Sequence, residues 1–184
     1  MQHHTSFSFS WTLKQGLAVK KLNVIANSMG SRGLVDALEG LKINEFYEEF
    51  VFNQIILAAP DIDAQIFVEQ IAPQLLNCSN RLTLYASSRD TLLASKVKRL
   101  SSVPRAGDSH ESKFTPVSCL GVDTIDVSDL PTSSYCFSLG YSYYAELRDL
   151  INDIYNLIRF GHEPKDRNLI ANTKGPSLFW KFRR

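Results

Sequence analysis

Residues 24–33 read Val-Ile-Ala-Asn-Ser-Met-Gly-Ser-Arg-Gly, an apolar run that changes at Ser28 into a polar segment compatible with a helix. Together with Leu22, the apolar residues before Ser28 form a nearly continuous run that only Asn23 interrupts. A short run of this kind is typical of a strand buried on both faces of a parallel sheet. The stretch therefore predicts a buried strand, a turn at Ser28 and a helix after it.

Similar signals recur along the chain and alternate between strand and helix. Apolar runs and period-two alternation predict strands at residues 6–11, 22–26, 55–59, 82–86 and 122–127. Helical spacing of apolar residues predicts helices at 34–41, 63–71, 92–100 and about 144–160. Asp63 is the predicted N-cap of the second helix, and Gly161 ends the last one. This alternation predicts an α/β fold, with a mainly parallel sheet and helices on both faces.

Length and composition favour one globular domain. The chain has 184 residues, 44% of them hydrophobic and 21% charged, and a domain of about 150 residues is typical. We expect a single domain over 1–184, with a core at about 21–160 and a C-terminal tail at 161–184. The aromatic residues near the end of this tail either pack on the edge of the sheet or contact a partner. Disordered, collagenous and coiled-coil classes do not fit this composition.

Charge and cysteine content exclude several function classes. The net charge of +1 provides no electrostatic footprint for nucleic acid or an anionic membrane. No apolar run approaches the roughly 18 residues of a membrane span, and the N-terminus does not resemble an export signal, so we expect a cytoplasmic protein. The three cysteines, Cys78, Cys119 and Cys136, show no CxxC spacing, so we predict neither a disulfide framework nor a metal site.

The predicted turn at Ser28 has the form of a nucleophile elbow. In the G-x-S-x-G pattern, a serine occupies a strained strand-to-helix turn between small residues, and the next backbone N–H helps to bind an oxyanion. Here Ala26 and Gly30 are the small residues, and Met29 supplies the N–H. A serine before a helix is also a common N-cap. Ser28 is therefore either a nucleophile or a helix cap.

Acidic residues follow two other predicted strands. Asp90 follows the strand at 82–86 and is either the acid of a Ser, acid, His triad or an ordinary helix cap. Asp61 follows the strand at 55–59 and braces a turn or, like Asn27 before the serine, contributes to binding. Because the carboxyl ends of parallel strands meet at one edge, we expect these residues to lie on the same side of the sheet.

Several motifs, in order and spacing, resemble a bacterial branch of the α/β-hydrolase superfamily whose substrates are unassigned. The resemblance covers about residues 21–160 and implies that Ser28 is the nucleophile, Met29 N–H an oxyanion donor and Asp90 the triad acid. The motifs are Ala-Asn-Ser-Met-Gly-Ser-Arg, Ile-Leu-Ala-Ala-Pro-Asp-Ile-Asp-Ala, Leu-Tyr-Ala-Ser-Ser-Arg-Asp, Pro-Arg-Ala-Gly, Val-Asp-Thr-Ile-Asp-Val and Gly-Tyr-Ser-Tyr-Tyr.

The chain departs from this family at the expected base. Family members carry histidine where this chain has Tyr141, and also where it has Asn27 before the serine. A phenol with a reference pKa of about 10 is protonated at pH 7 and does not replace an imidazole without a large shift. Loss of a triad member lowers turnover by about four to six orders of magnitude. The remaining histidines are His3, His4, His110 and His162, and the sequence does not place them near Ser28.

The part of the chain before Ser28 is also shorter than the resemblance implies. Either the chain is a degenerate or fragmentary copy of the family fold, or its sheet is smaller and exposes an edge. An exposed edge predicts homodimerisation through that edge, or poor solubility. Two functions follow. The first is serine hydrolysis of a small ester or similar acyl substrate through Ser28, without metal or organic cofactor. The second is a catalytically impaired relative that acts as a binding or interaction module.

Overall fold

The computed structural model describes residues 21–43, 52–88, 103–109, 115–130 and 147–183. Within these residues, one sheet has the strand order β1-β2-β3-β4-β6-β5. Strands β1 to β4 and β6 run parallel, and β5 pairs antiparallel with β6. The strands are β1 (Asn23–Asn27), β2 (Gln54–Ala58), β3 (Leu82–Ala86), β4 (Val122–Asp126), β5 (Leu169–Lys174) and β6 (Ser177–Phe182).

Helices cover both faces of this sheet. They are α1 (Gly30–Ile43), α2 in three consecutive parts (Ala64–Ile66, Phe67–Ile71 and Ala72–Asn77), α3 (Arg148–Phe160) and a short 3₁₀ turn (Pro164–Asp166). Side chains of α1 and α2 pack with Ile55 and Leu57 on one face. Side chains of α3 pack with Ile56 and Ala58 on the other. Alternate residues of β2 thus enter two cores, as expected for a central strand without an exposed face.

Local sequence accounts for the start of α2, for its π-helical part and for the end of α3. The Asp63 carboxylate accepts hydrogen bonds from the backbone N–H groups of Gln65 (2.8 Å) and Ile66 (3.0 Å), as predicted for an N-cap. Pro73 lacks an N–H and disfavours an ordinary α-helical turn before it, and the preceding segment Phe67–Ile71 is a π-helix. Gly161 ends α3 at φ 69°, a left-handed conformation that glycine adopts without a steric penalty.

The sequence predictions for β1 to β4, for α1 and for α3 are confirmed, and the α/β class with a mainly parallel sheet is correct. The region beyond Gly161 differs from the predicted tail, because it contributes two further strands to the same sheet. Its aromatic residues belong to β6, which lies between β4 and β5, and Phe179 and Phe182 are buried. The predicted strand at 6–11 and the predicted helix at 92–100 lie outside the described residues.

Candidate active site

The chain turns sharply at Ser28, between the end of β1 and the start of α1. Ser28 has φ 50°, one of two positive φ values among the described residues other than glycine. Its N–H donates to the carbonyl of Ala58 (2.9 Å), and its carbonyl accepts from Ser31 N–H (3.1 Å). Ser28 is exposed, and Met29 beside it is 71% exposed. The turn therefore presents the serine at the carboxyl edge of the sheet.

This geometry differs from that of an ordinary helix cap. An N-cap serine has extended backbone angles, and its side-chain oxygen accepts an N–H of the first helical turn. Ser28 instead has a left-handed φ, and no hydrogen bond joins its Oγ to another described residue. A left-handed conformation in a residue other than glycine costs about 1–3 kcal/mol and persists only where the surrounding structure imposes it.

The neighbouring strand ends in a similar way. Ala59, which follows β2, has φ 44°. Gly107 packs directly against it: a Cβ atom on Gly107 would lie 2.5 Å from the Ala59 carbonyl carbon. Only glycine allows this close approach, so the glycine of the Pro-Arg-Ala-Gly motif has a steric explanation. At Gly30, by contrast, a Cβ atom would meet nothing within 4 Å.

Residues 103–109 lie across the carboxyl ends of β2 and β3. Gly107 N–H donates to the Pro60 carbonyl (3.1 Å), and Ala106 N–H donates to the Ile62 carbonyl (2.8 Å). On the β3 side, Ser87 N–H donates to the Gly107 carbonyl (2.9 Å). The segment therefore fixes the turns that follow two neighbouring strands.

Asp61 connects this segment to the serine turn. Its carboxylate lies 3.0 Å from Arg32 Nη2 and 3.5 Å from Arg105 Nε. Arg32 Nε also donates to the Asp61 carbonyl at 2.6 Å. The backbone N–H of Asp61 donates to the carbonyl of Ser28 at 3.3 Å. We call Arg32, Asp61 and Arg105 the elbow clamp.

A second set of polar contacts joins the ends of β3 and β4. The Ser128 hydroxyl donates to the buried Asp126 carboxylate and accepts the N–H of Ser88 (2.8 Å). Asp126 also lies 3.6 Å from Lys181 Nζ on β6. These contacts join Ser88, just after β3, to the turn that follows β4.

His162 lies at the opposite end of the sheet from Ser28. Arg81, immediately before β3, donates from Nη1 to the carbonyls of Gly161 (3.1 Å) and His162 (2.7 Å). The five residues of β3 separate this end from the serine edge by about 16 Å, at about 3.3 Å per residue. His162 stacks on Phe160, with 5.1 Å between ring centroids, and is too remote to serve Ser28 as a base.

A buried polar network lies beneath α3. The Tyr85 hydroxyl donates to Asp153 Oδ2 at 2.6 Å, and Arg167 Nη1 lies 3.1 Å from the same oxygen. Desolvation by burial raises the pKa of Tyr85 well above its usual value, and the neighbouring Asp153 charge adds to this. Burial also raises the pKa of Asp153, although Arg167 and the Tyr85 hydrogen bond oppose the shift. We call Tyr85, Asp153 and Arg167 the buried network.

Four of the six predicted site residues are described. Asn27, Ser28, Met29 and Asp61 lie together at the carboxyl edge. Asp90 and Tyr141 lie outside the described residues, as do His3, His4 and His110. Sequence analysis missed Arg32 and Arg105, although both stand in motifs that it singled out, Ser-Arg after the elbow and Pro-Arg-Ala-Gly.

Comparison with known families supports the α/β fold. The family model described as "Alpha/beta hydrolase of unknown function (DUF900)" matches residues 8–159. The chain belongs to this α/β-hydrolase family. The matched region of the α/β-hydrolase includes β1 to β4, α1 and α2, whereas β5 and β6 lie beyond it. No curated protein and no solved structure gave a significant match.

Two further findings concern the described part of this α/β-hydrolase. None of its helices is long and apolar enough to cross a lipid bilayer. The same residues contain no group of three or more histidine, cysteine or acidic side chains arranged to hold a metal ion.

Proposed function

We propose that this α/β-hydrolase cleaves a small ester or related acyl substrate with Ser28 as the nucleophile. The observation that carries the proposal is the left-handed backbone of Ser28 between β1 and α1. A strained strand-to-helix turn exposes a serine hydroxyl at the top of the sheet, where a carbonyl carbon can approach it. A helix cap requires no such strain, so the geometry favours the catalytic interpretation of Ser28 over the capping one.

The chemistry follows from the positions of the groups around Ser28. Ser28 Oγ attacks the acyl carbon, and the Met29 N–H stabilises the negative charge that develops on the carbonyl oxygen. No hydrogen bond engages this N–H within the described part of the chain. The bond to the leaving alcohol breaks, and the alcohol takes the proton that Ser28 lost. Water then hydrolyses the acyl-serine and restores the hydroxyl. Asn27 precedes Ser28 at this edge of the sheet, and Asp61 N–H donates to the Ser28 carbonyl.

We propose that Asp90 orients the general base. Tyr141 occupies the position at which the family resemblance expects histidine. His110 directly follows Ser109, whose N–H donates to the Ser87 carbonyl (3.3 Å) just beyond β3. His162 does not qualify, because it lies at the other end of the sheet. Tyr141 and His110 are therefore the two positions to vary.

Hydrolysis of p-nitrophenyl esters tests the proposal. Ser28→Ala is expected to abolish turnover, while Ser118→Ala, at an exposed serine before β4, retains it. Tyr141→His is expected to raise turnover by about a hundredfold or more, because a positioned general base contributes about 10²–10⁴. His110→Ala lowers turnover if His110 is the base. Equal turnover in wild type and Ser28→Ala would overturn the proposal.

A catalytically impaired binding module is the second candidate function. It is favoured by Tyr141 in place of histidine, together with the remote position of His162. In this case neither the wild type nor Tyr141→His hydrolyses esters, although both are folded. The carboxyl edge would then hold an acyl ligand without cleaving it.

We also propose that the protein forms a homodimer through β1. Among the described strands, β1 pairs only with β2, and Ile25 on β1 is 52% exposed. An uncovered strand edge presents unpaired backbone groups to a second chain. Light scattering at high concentration is expected to give the dimer mass, and a monomer mass would contradict this.

A further inference from the structure

The Asp61 carboxylate lies where three segments of the active-site edge meet. Arg32 is in the first turn of α1, Asp61 is in the turn after β2, and Arg105 is in the segment at 103–109. Two ion pairs, of 3.0 Å and 3.5 Å, join both arginines to the same carboxylate. The arginines belong to segments that are distant in sequence, so this single side chain ties them together.

The clamp also contacts the strained serine directly. Asp61 N–H donates to the Ser28 carbonyl (3.3 Å), and Arg32 Nε donates to the Asp61 carbonyl (2.6 Å). Arg32 thus holds Asp61 by both its backbone and its side chain. Any displacement of Asp61 changes the hydrogen bond on the peptide group between Ser28 and Met29, the group whose N–H is the proposed oxyanion donor.

We propose that Asp61 is a positioning residue, which holds the Ser28 turn in its left-handed conformation by sharing its carboxylate between Arg32 and Arg105. This inference rests on the proposed role of Ser28. Asp61 makes no chemical step itself. It sets the orientation of Ser28 Oγ and of the Met29 N–H, and a strained turn of this kind requires such support from its surroundings.

The side chain is suited to this role because of its partial burial. The Asp61 side chain is 14% exposed, whereas those of Arg32 and Arg105 are 50% and 22% exposed. The carboxylate is therefore partly shielded from water and lies nearer to Arg32, at 3.0 Å, than to Arg105, at 3.5 Å.

The test compares Asp61→Asn with Asp63→Asn. Both variants lose one negative charge in the same turn, and asparagine at position 63 retains the helix cap. The measured quantity is the rate constant for labelling Ser28 with a fluorophosphonate probe. We expect Asp61→Asn to lower it about 10- to 100-fold, since small displacements of reacting groups have effects of this order. Asp63→Asn is expected to match the wild type.

The rate constant separates positioning from loss of folded protein. Irreversibly misfolded protein lowers the final extent of labelling, whereas a displaced serine lowers the rate at full extent. Reversible unfolding lowers the rate only in proportion to the folded fraction, so a tenfold slowing would require about nine-tenths unfolded protein, which circular dichroism would detect. With a p-nitrophenyl ester, Asp61→Asn is expected to lower kcat and leave KM unchanged, because Asp61 holds the nucleophile. An unchanged labelling rate in Asp61→Asn, or a rise in KM alone, would overturn the proposal.

Hydrogen exchange makes the clamp testable even if the wild type is not labelled. The Ser28 amide donates to the carbonyl of Ala58 on β2, and the amides of Ser31 and Arg32 donate to the carbonyls of Ser28 and Met29 within the turn. Asp61→Asn is expected to increase their exchange while the amides of β3 stay protected. If labelling fails and exchange rises, the proposed function is wrong and the clamp stands. If exchange at the turn is the same in both proteins, the clamp is wrong.

Discussion

The elbow clamp and the buried network each pair one aspartate with arginine, but in very different surroundings. The clamp has two arginines and the network has one. In the buried network, the side chains of Arg167 and Asp153 are 0% and 2% exposed. In the clamp, Arg32 is 50% exposed. Water screens the clamp, so its ion pairs add little to global stability. The network has no such screening, and breaking it leaves an unpaired charge in the core. Similar chemistry thus stabilises the fold in one place and local geometry in the other.

The largest effect is expected for Asp153→Ala. This variant leaves the buried Arg167 guanidinium without a partner carboxylate, and breaking a buried pair costs about 3–5 kcal/mol. Urea denaturation gives the free energy of unfolding. Asp149→Ala, on the first turn of the same helix, is the control and costs about 0.3–1 kcal/mol. Equal losses in the two variants would remove the distinction between the buried network and exposed charges.

Gly107→Ala tests the rigid packing beside the elbow clamp. The new Cβ atom would lie 2.5 Å from the Ala59 carbonyl carbon, so backbone must move. Overpacking of this kind costs about 1–3 kcal/mol. Gly33→Ala in α1, where a Cβ atom meets nothing within 4 Å, is expected to stabilise by about 0.5–1 kcal/mol. Thermal unfolding of both variants measures the contrast, and a harmless Gly107→Ala would contradict the packing.

A smaller effect is expected for Asp123, whose raised pKa makes the free energy of unfolding depend on pH. Burial raises the pKa of Asp123, against the opposing charges of Arg81 and Arg167, while Glu163 adds to the rise. The folded state therefore binds the proton more tightly than the unfolded state. The free energy of unfolding falls as pH rises from about 4 through the raised pKa, and the loss persists at neutral pH.

Asp123→Asn is expected to remove this contribution to the pH dependence. Denaturation between about pH 4 and pH 7 measures it. The variant should show a shallower decline with rising pH and slightly higher stability at pH 7 than the wild type. A decline as steep as that of the wild type would mean that Asp123 is not responsible.

The smallest stability change is expected for Asp61→Asn in the clamp. Ion pairs of which one partner is well exposed contribute about 1 kcal/mol or less. The variant should therefore unfold nearly as the wild type does, although its Ser28 labelling slows. A loss as large as that of Asp153→Ala would show that the clamp is a stability element like the buried network.

The confirmed part of the fold came from local patterns. Continuous apolar runs predicted β1 and β2, and the 3.6-residue period predicted α3. Strand β5 was missed because its burial is weak, with Leu169 the one fully buried residue of the strand. The Gly175-Pro176 turn between β5 and β6 was the available signal, because such turns mark hairpins.

The candidate site was predictable only where it is local in sequence. The elbow lies within a few residues, so spacing alone indicated Ser28 and Met29. The clamp joins Arg32 to Asp61, which are 29 residues apart in sequence. Sequence periodicity does not predict a contact over this distance. Asp90 stays a prediction from its position after β3 and from the family resemblance, and Tyr141 stays a prediction from the resemblance alone.

Fluorophosphonate labelling, read by intact-protein mass spectrometry, tests most directly whether Ser28 is an activated nucleophile. We expect one adduct on the folded wild type, none on Ser28→Ala, and one on Ser118→Ala. An unlabelled folded wild type, or an adduct that persists in Ser28→Ala, would contradict it.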